Sequence, residues 1–507
     1  MLGPPGVGPG PRRGGEAGGL NRGARNLYPM SRLAGGPVPE LAERAEACAE
    51  RLLAADSVLL ASHIDADGLT SAAVAATALE RAGIPFEAVF EKQLDDAAIA
   101  GIADTGYDTV LFTDFGSGQL DAIAAHERQG GFTPVIADHH QPADADSRYH
   151  LNPLLEGLNG AAELSGAGTT YVLARAMAER GRAVESDNRD LAALAVVGAV
   201  GDMQATDDGL VGANAAVVEE GVAAGVLEEA TDLAMYGRQT RPLPKLLEYA
   251  SDVRVPGITN DEAGAVGFLN DLGLDLKRDG EWRTWVELSD AERQEVASAL
   301  VQRAVTSGVP ASKVDRLVGT TYVLTREPEG TELRDASEFS TLLNATARYE
   351  RADVGLAVCL GDRGGALDRA RRLLANHRRN LSEGLRWVRT EGVTQEANVQ
   401  WFDAGERIRE TIVGIVAGMA YGADGVDRSK PIIAFAAKGD DETKVSARGT
   451  GTLAGRGLDL SVVMGEASAA VGGGGGGHDV AAGATIPAGE EAAFVERADE
   501  LVADQLG

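Results

Sequence analysis

The sequence is poor in several residue types, and each shortage excludes a class of protein. Its 507 residues include only two cysteines, Cys48 and Cys359, too few for a disulfide scaffold or a thiolate zinc site. Both stand in apolar runs, which predicts buried, inert thiols. No apolar run approaches the length of a membrane-spanning helix, and the start of the chain lacks the pattern of a secretory signal. We therefore expect a soluble cytoplasmic protein without a membrane partner.

Lysine is also scarce, with seven lysines beside forty arginines. The 77 acidic residues leave a formal net charge of −30, while 44% hydrophobic and 24% charged residues are typical of a globular chain. An acidic, lysine-poor chain stays soluble in concentrated salt, because screening weakens its self-repulsion. The composition predicts a high-salt cytoplasm, as in halophilic archaea; an ordinary acidic protein is the alternative.

Composition and apolar periodicity divide the chain into four predicted regions. Residues 1–29 are rich in Gly and Pro, which predicts a disordered extension or translation from a start codon set too far upstream. An α/β domain is expected at 30–205, a mainly helical insertion or linking region at 206–350, and a second α/β domain at 351–507. The fold class is therefore α/β, with two α/β domains joined by a helical middle region and an active site in the cleft between them.

The first α/β domain alternates short apolar runs with helical patterns. Strands are predicted at 57–62, 86–91, 109–114 and 133–138, and helices at 38–55, 69–82, 119–129, 166–181, 189–200 and 212–224. This β-α-β-β-α-β order predicts a mainly parallel sheet with helices on both faces. Ligands of such sheets gather at the carboxyl ends of the strands.

The second α/β domain has a similar alternation. Strands are predicted at 354–360, 384–390, 398–404, 431–437 and 443–449, and helices at 365–380, 406–421 and 458–471. Between the two domains, residues 205–345 give few sharp signals and are interpreted as mixed helix and loop.

Acidic and imidazole side chains stand where predicted elements of the first domain end. They are His63, Asp65, Asp67, Asp114, Asp138, His139, His140 and Asp202. Carboxylate oxygen suits hard divalent ions, and imidazole extends the preference towards Mn, Fe, Co and Zn. Four aspartates with two or three histidines exceed the need of one ion, which favours two metals bridged by one carboxylate. A single Asp at a strand end is usually a cap or turn residue, and Asp138 is open to that interpretation.

A run of six glycines at 472–477 precedes His478 in the second domain. We do not expect such a run inside a helix or strand. Its backbone, at Gly475, Gly476 and Gly477, can approach a phosphate closely and donate N–H groups, with His478 as a further contact. A flexible linker is the alternative. Upstream, Arg448 on a predicted strand can hold a phosphate in a bidentate way.

The most basic stretch lies between Arg369 and Arg389, with seven arginines and a single acidic residue. Arg369, Arg372 and Arg379 fall near one helical face. A helix that follows nucleic-acid phosphates and a solvated surface helix are equally compatible with this pattern.

The motifs together resemble the DHH phosphoesterase superfamily, in the order that the family has them. They are SHIDADG (62–68), TDFG (113–116), DHH (138–140), GAVGD (198–202) and GGGGGGHDVAAG (472–483). The resemblance covers about 57–205 and 350–505. Size, the long middle region and the Asn152-Pro153 pair look most like archaeal RecJ-like proteins, some of which are linked to the GINS complex of the replicative helicase.

The resemblance implies roles for individual residues. Asp65, Asp67, Asp114, His139 and Asp202 would be metal ligands with Asp114 as the bridge, and His63 a further ligand. His140 would orient the substrate phosphate or support the site, which places Asp114, His139 and His140 in the catalytic set. Arg448 and His478 match phosphate-contacting positions.

The implied function is a two-metal exonuclease that trims single-stranded DNA or RNA from an end. Mn²⁺ is the expected ion, with Mg²⁺ or Co²⁺ as alternatives, and GINS is a candidate protein partner. Two other functions stay open: a phosphodiesterase of short oligonucleotides or cyclic dinucleotides, and a helicase-associated subunit with a mainly structural role.

Overall fold

The computed structural model describes residues 36–181, 186–206, 208–250, 253–423 and 425–507. The extension predicted at 1–29 lies outside the described residues. Within them, no helix combines the length and the apolar character that crossing a membrane requires. Cys48 and Cys359 are free and buried, as predicted, and burial raises the pKa of each thiol to about 12.

Five strands near the start of the described chain form a parallel sheet in the order β2-β1-β3-β4-β5. They are β1 (Val58–His63), β2 (Phe86–Glu91), β3 (Thr109–Thr113), β4 (Thr133–Ala137) and β5 (His150–Leu151). The central strands β1, β3 and β4 are almost entirely buried, because both faces of the sheet are covered. The predicted parallel sheet is confirmed.

Helices cover both faces of this sheet. They are α1 (Ala42–Leu53), α2 (Ala66–Arg81), α3 (Asp96–Ala103), α4 (Leu120–Arg128), α5 (Gly166–Arg180), α6 (Ala192–Gly201) and α7 (Gly212–Ala223). Val58 and Leu60 of β1 join the core formed with α2 and α5, whereas Leu59 and Ala61 join the core formed with α3 and α4. The sequence analysis missed α3, whose eight residues are too few to show a clear helical period.

The strand order fixes the position of the ligand-binding crevice. Strand β1 lies between β2 and β3. The chain therefore passes from β1 to β2 on one side of β1, and then from β2 to β3 on the other side. Such a reversal opens a crevice at the carboxyl ends of the two strands that flank it. The ends of β1 and β3 are where the sequence places His63 and Asp114.

The middle region has its own small sheet and core. Its elements are β6 (Leu227–Leu233), α8 (Leu243–Glu248), α9 (Glu262–Asp271), β7 (Lys277–Arg278), β8 (Glu281–Trp282), α10 (Asp290–Thr306), α11 (Ala311–Val314) and β9 (Val318–Leu324). Strands β6 and β9 pair antiparallel, and the helices between them enclose a core that contains the buried Trp285. The sequence analysis missed both strands, because acidic residues such as Glu228 and Glu229 obscure the alternation in β6.

Three helices lead into the last part of the chain: α12 (Ala336–Arg348), α13 (Ala352–Cys359) and α14 (Gly365–Glu391). The strands predicted at 354–360 and 384–390 are therefore wrong, since both segments are helical. In α13 the buried Val354 and Val358 are four residues apart, and in α14 Gly384 and Val388 repeat that spacing. A short apolar run is ambiguous between strand and helix, and here the four-residue spacing prevails.

The last part of the chain is a six-stranded mixed sheet in the order β10-β11-β12-β13-β15-β14. The elements are β10 (Thr394–Gln395), β11 (Gln400–Asp403), α15 (Glu410–Ala420), β12 (Ile432–Lys438), β13 (Glu442–Arg448), α16 (Gly451–Ala454), α17 (Leu460–Ala470), β14 (Gly474–Gly477), β15 (Ala481–Pro487) and α18 (Glu491–Leu506). Strands predicted at 398–404, 431–437 and 443–449 are confirmed. Helices α17 and α18 pack on one face, and α15 packs on the other.

The glycine run contradicts the expectation that it cannot form a strand. Gly474–Gly477 is β14, an edge strand paired antiparallel with β15. A Cβ atom on Gly475 would lie 2.7 Å from the Cβ of Ala484 and 2.8 Å from the backbone oxygen of Met464. Glycine is used here because helix α17 and the neighbouring strand approach the backbone too closely for a side chain.

Candidate metal centre

Three adjacent parallel strands deliver side chains to one crevice. His63 is the last residue of β1, Asp114 directly follows β3, and His139 comes two residues after β4. Asp65 lies between β1 and α2, where its carboxylate caps the helix by accepting a hydrogen bond from the Gly68 N–H at 3.0 Å. Because these strands run parallel and side by side, residues distant in sequence meet at one edge of the sheet.

Asp114 stands at the centre of the crevice. One carboxylate oxygen, Oδ2, lies 3.6 Å from Nδ1 of His63, and the other, Oδ1, lies 3.2 Å from Nε2 of His139. The residue is 2% exposed and has a φ of 60°, a left-handed conformation that is uncommon outside glycine. The backbone is therefore held in a strained shape that places one carboxylate between two imidazoles.

The ligand atoms fall into three groups. One joins Asp114 and His139 to Asp138 and His140, whose contacts are described below. The Asp114 carboxylate connects the other two. His63, Asp65 and Asp114 form the first group, with ligand atoms within 4.8 Å of one another. Asp67, His139 and Asp202 form the second group, whose ligand atoms also lie within 4.8 Å of one another. Since Asp114 belongs to the first group and contacts His139 of the second, the predicted metal residues do converge.

Two close approaches of the backbone hold Asp67 in the second group. Its carboxylate accepts hydrogen bonds from the N–H groups of Gly166, at 2.7 Å, and Ala167, at 3.0 Å, at the first turn of α5. A Cβ on Gly198 of α6 would lie 2.4 Å from Oδ1 of Asp67. The buried acid is thus stabilised by the positive end of one helix and closely confined by another.

Burial and mutual repulsion work against ionisation of the second group. Burial, and then the charges of Asp114 and Asp202, raise the pKa of Asp67 well above its usual range. Burial also raises the pKa of Asp202, although His139 opposes the shift. Carboxylates crowded in this way need positive charge beside them.

The two imidazoles supply that charge in the metal-free protein. Burial lowers the pKa of His63, but Asp114 and Asp65 outweigh it and raise the pKa to about 11. For His139, burial is likewise outweighed, mainly by Asp114, and the pKa rises to about 11. An imidazole that binds a metal ion must be neutral. Bound cations would therefore replace these two protons and supply the positive charge beside the carboxylates.

The residues fit divalent cations. Oδ1 of Asp114 is buried, and within the described part of the chain its contact with Nε2 of His139 at 3.2 Å lacks the geometry of a hydrogen bond. A Cβ on Gly166 would lie only 2.4 Å from that oxygen, so glycine keeps the space beside it open. The donors are carboxylate oxygens and imidazole nitrogens without thiolate, a set that suits Mn²⁺ and, for the oxygens, Mg²⁺.

Asp138 belongs to the framework of the site. It is fully buried and accepts hydrogen bonds from the backbone N–H groups of Ser117, His139 and His140 and contacts Nδ1 of His140 at 2.8 Å. Burial alone would raise its pKa, but His140 and these donors lower it below its usual range. With its oxygens engaged in this way, Asp138 fixes the turn after β4, which agrees with the structural interpretation of this residue.

His140 is positioned differently from its neighbour His139. Its side chain is 56% exposed, and its pKa is raised chiefly by the contact with Asp138. Nδ1 is occupied by Asp138, which leaves Nε2 for a group outside the protein framework.

Sequence reasoning missed the polar residues that orient His139. Its Nδ1 lies 2.7 Å from the backbone oxygen of Gly160, which directs Nε2 towards the aspartates. Gln204 donates from Nε2 to that same oxygen and to Asp202, and Asn214 donates to Gln204. Isolated amides follow no periodicity, so no pattern in the sequence indicates their role.

A second network supports the turn after β4 from beneath. Asn152 donates from Nδ2 to Oγ of Ser117 and to the backbone oxygen of His140. The Ser117 hydroxyl lies 2.9 Å from Nε2 of the buried His150. Burial lowers the pKa of His150 to about 4.

This histidine predicts an acid-sensitive free energy of unfolding. The folded pKa of about 4 is below the unfolded value, so between pH 6.5 and 4 the unfolded chain binds a proton that the folded chain does not. Between pH 7.5 and 5, the free energy of unfolding of the wild-type protein should fall by about 2 kcal/mol more than that of His150→Gln. Urea unfolding of both proteins at the two pH values measures the difference, and equal losses would contradict the assignment.

The predicted phosphate contacts come together at one end of the C-terminal sheet. Arg448 of β13 pairs with Ala481 of β15, whose backbone oxygen accepts from the N–H of His478. Arg448 is half-buried and His478 exposed. Arg348, at the end of α12, is one of the charges acting on both Asp65 and Arg448, which places it within electrostatic reach of both.

The three arginines predicted to contact nucleic acid, Arg369, Arg372 and Arg379, are exposed on α14. In the described ranges none of the three makes an ion pair. Their neighbours are engaged, since Arg371 pairs with Glu332 and Arg378 donates to Tyr236. The structure therefore leaves both interpretations of this face open.

Family comparisons divide the chain into three matched parts. Residues 57–199 match the N-terminal domain of the DHH family, residues 235–318 match the DHH-CID domain, and residues 397–504 match the DHHA1 domain. RecJ from Thermus thermophilus, solved in complex with Mn²⁺, is similar in structure with a TM-score of 0.58 and 19% identity over 93% of this chain. The three matches support DHH-family domains in this chain, and the structural similarity shows a fold like that of RecJ.

Other relatives extend the comparison. This chain spans only 56% of the length of the Thermus RecJ. CDC45 from Entamoeba histolytica has a TM-score of 0.61 at 11% identity, over 91% of this chain and 97% of that one. An uncharacterized protein from Methanocaldococcus jannaschii, MJ0831, is 29% identical over 453 residues, which are 88% of this chain and 93% of that protein.

The matched DHH domain contains every residue of the candidate metal centre except Asp202, which lies three residues beyond it. Arg448 and His478 lie in the matched DHHA1 domain. Helix α14 lies between the DHH-CID and DHHA1 matches. The domain boundaries at 205 and 350 stay predictions.

Proposed function

We propose that this protein is a metal-dependent phosphodiesterase that hydrolyses single-stranded nucleic acid from an end. The observation that carries the proposal is the convergence of two ligand groups on one shared carboxylate, Asp114. The DHH-family match and the RecJ-like fold support the same reaction class.

In this proposal two divalent cations, Mn²⁺ foremost and Mg²⁺ or Co²⁺ as alternatives, are held by the two groups. His63, Asp65 and Asp114 would hold one ion. Asp67, His139 and Asp202 would hold the other, beside Asp114. Two such cations supply Lewis-acid stabilisation of the negative charge that develops as a phosphodiester is hydrolysed.

The protein's own groups orient the substrate around that centre. His140, whose pKa the contact with Asp138 raises, can donate from Nε2 to an oxygen of the reacting phosphate. Arg448 and His478 bind phosphates further along the strand, with N–H groups at Gly475–Gly477 as additional donors. Gly160 and Gln204 keep the Nε2 atom of His139 aimed at the aspartates.

End-labelled substrates test this function directly. Chelator-treated protein is reloaded with Mn²⁺, Mg²⁺ or Co²⁺ in molar salt and given 5′- or 3′-labelled single strands of DNA and RNA, with a dinucleotide and a duplex in parallel. We expect mononucleotides to be released progressively from one end of a single strand, fastest with Mn²⁺. Internal cleavage, or a strong preference for the dinucleotide, would contradict the exonuclease and favour a short-oligonucleotide phosphodiesterase.

The similarity to CDC45 supports a second proposal, association with the replicative helicase through GINS. The complete set of acidic ligands argues against a purely structural subunit, because clustered carboxylates without cations repel one another. Co-purification of GINS subunits with the full chain would support the association, and their absence would leave the hydrolase without this partner.

A further inference from the structure

Two tyrosines of the middle region form an aromatic surface with arginines upon it. Tyr236 and Tyr249 both contact Arg241, whose Cζ lies 4.7 Å from the centroid of the first ring and 5.2 Å from that of the second. Tyr249 is 50% exposed, although large aromatic side chains are usually covered. The arrangement is an open aromatic face with a guanidinium group beside it.

Helix α14 adds a second arginine to this surface. Cζ of Arg378 lies 5.7 Å from the ring centroid of Tyr236, and its Nη2 donates to the tyrosine hydroxyl at 2.6 Å. The surface formed by Tyr236, Arg241, Tyr249 and Arg378, here called the tyrosine–arginine surface, therefore joins the middle region to the basic helix.

These two arginines lack the carboxylate partners that an acidic chain could easily provide. Neither Arg241 nor Arg378 makes an ion pair within the described residues. Burial, and after it the charge of Arg378, lowers the pKa of Arg241, so the two guanidinium groups repel each other. The acid within reach is Glu338, whose pKa burial raises to about 7, which weakens its charge near neutral pH.

Lys245 shows the usual arrangement on the same surface. It lies 5.5 Å from the ring centroid of Tyr249, but Glu248 and Glu262 pair with it at 2.8 and 3.0 Å. In a chain with a net charge of −30, two arginines that lie on aromatic rings and make no ion pair with any described residue stand out. Such a surface is complementary to a ligand that carries both negative charge and flat rings.

Helix α12 connects this surface with the metal centre. Oδ1 of Asn344 on α12 accepts a hydrogen bond from the N–H of Ala66, the residue after Asp65, at 3.0 Å. The hydroxyl of Tyr349, directly after α12, accepts from Nδ2 of Asn380 on α14 at 2.7 Å. The basic helix that carries Arg378 is thus joined through α12 to the turn that carries Asp65.

We propose that the tyrosine–arginine surface is a second binding site for single-stranded nucleic acid, where a base stacks on Tyr249 and Arg241 and Arg378 hold the adjoining phosphates. The site deepens the proposed function, because it grips the part of a long strand that is distant from the reacting end. The cavity that the two rings border has a volume of about 20 Å³, room for a water molecule and not for a base. The base therefore stacks outside this cavity, on the exposed part of the Tyr249 ring.

Binding without hydrolysis tests this site separately from the activity. The full chain carrying Asp114→Asn, chelator-treated and kept free of metal so that no strand is cut, is titrated against fluorescent 20-nucleotide strands of DNA and RNA and against a dinucleotide. In that background Tyr249→Ala should weaken binding of the 20-mers roughly 5- to 100-fold, the range expected for one stacked base. Arg241→Gln should weaken binding of the 20-mers and make that binding less dependent on salt concentration. The dinucleotide should bind equally well to all variants.

Two matched variants control for indirect effects. Tyr249→Phe keeps the ring and should bind the 20-mers like the parent. Lys277→Gln removes another cation that lies on an aromatic ring of the middle region, 4.3 Å from Trp282, and should also leave binding unchanged. Tyr249 is exposed, so its replacement should not alter the thermal midpoint.

Equal affinity of the parent, Tyr249→Ala and Arg241→Gln for the 20-mers would overturn the proposal, as would a parent that binds no single strand. Failure of the proposed function looks different, since wild-type protein would then bind the 20-mer without hydrolysing it. A preference for the DNA or the RNA strand would show which nucleic acid the site binds, and either preference agrees with a stacked base.

Discussion

Replacing Asp114 by asparagine should reduce hydrolysis at least about a hundredfold, the scale on which loss of one electrostatic stabiliser acts. The amide keeps the shape of the side chain but not the negative charge that both ligand groups share. Asparagine tolerates the left-handed backbone at this position, where φ is 60°. The fold should therefore survive, and the thermal midpoint without metal should stay near the wild-type value.

The matched control for this variant is Asp279→Asn. Asp279 also has a positive φ, of 52°, but it is exposed in the turn between β7 and β8. Its replacement should change neither hydrolysis nor the increase in thermal midpoint that Mn²⁺ produces, whereas Asp114→Asn should lose both. Full activity of Asp114→Asn, measured on end-labelled strands, would remove Asp114 from the centre.

A single methyl group at Gly166 should have the second largest effect. The Cβ of Gly166→Ala would lie 2.4 Å from Oδ1 and 2.8 Å from Cβ of Asp114, distances that force either the carboxylate or the start of α5 to move. Gly166 also donates its N–H to Asp67, so both ligand groups are disturbed. We expect activity to fall about a hundredfold, as for ligands misplaced by about 1 Å, and unfolding to become easier by about 1–3 kcal/mol.

Gly267→Ala is the control for Gly166→Ala, since Gly267 lies within α9 and a Cβ there meets nothing within 4 Å. The free energy of unfolding of this variant should be about 1 kcal/mol higher, because alanine has a higher helix propensity than glycine. Its activity should equal that of wild type. Urea unfolding and single-strand hydrolysis measure both variants. A Gly166→Ala protein with wild-type activity would show that the crevice tolerates a methyl group beside Asp114.

The parts of the centre that the sequence predicts are those that follow from strand order. His63, Asp114 and His139 stand at the ends of apolar runs, and parallel strands bring such ends together without further information. That they lie together is confirmed by the structure; that they bind metal stays a prediction. Asp138 could be interpreted either way, and only its hydrogen bonds distinguish a framework residue from a ligand.

The parts that the sequence did not predict depend on contacts made across the fold. The buried Gln204 follows Asp202 by two residues and carries no pattern of its own, yet it links that carboxylate to the carbonyl of Gly160. Segments 354–360 and 384–390 were predicted as strands, because short apolar runs do not distinguish the two structures. Gly474–Gly477 forms a strand only because β15 offers a partner and α17 packs closely above it.

Loading with Mn²⁺ tests most directly the claim that two ions share one carboxylate. Chelator-treated wild-type protein is titrated with Mn²⁺, the bound ions are counted, and electron paramagnetic resonance reports whether they interact. We predict two ions per chain with the spectrum of a spin-coupled pair, and loss of that coupling in Asp114→Asn. A single bound ion, or two ions without magnetic coupling, would contradict a centre built around Asp114.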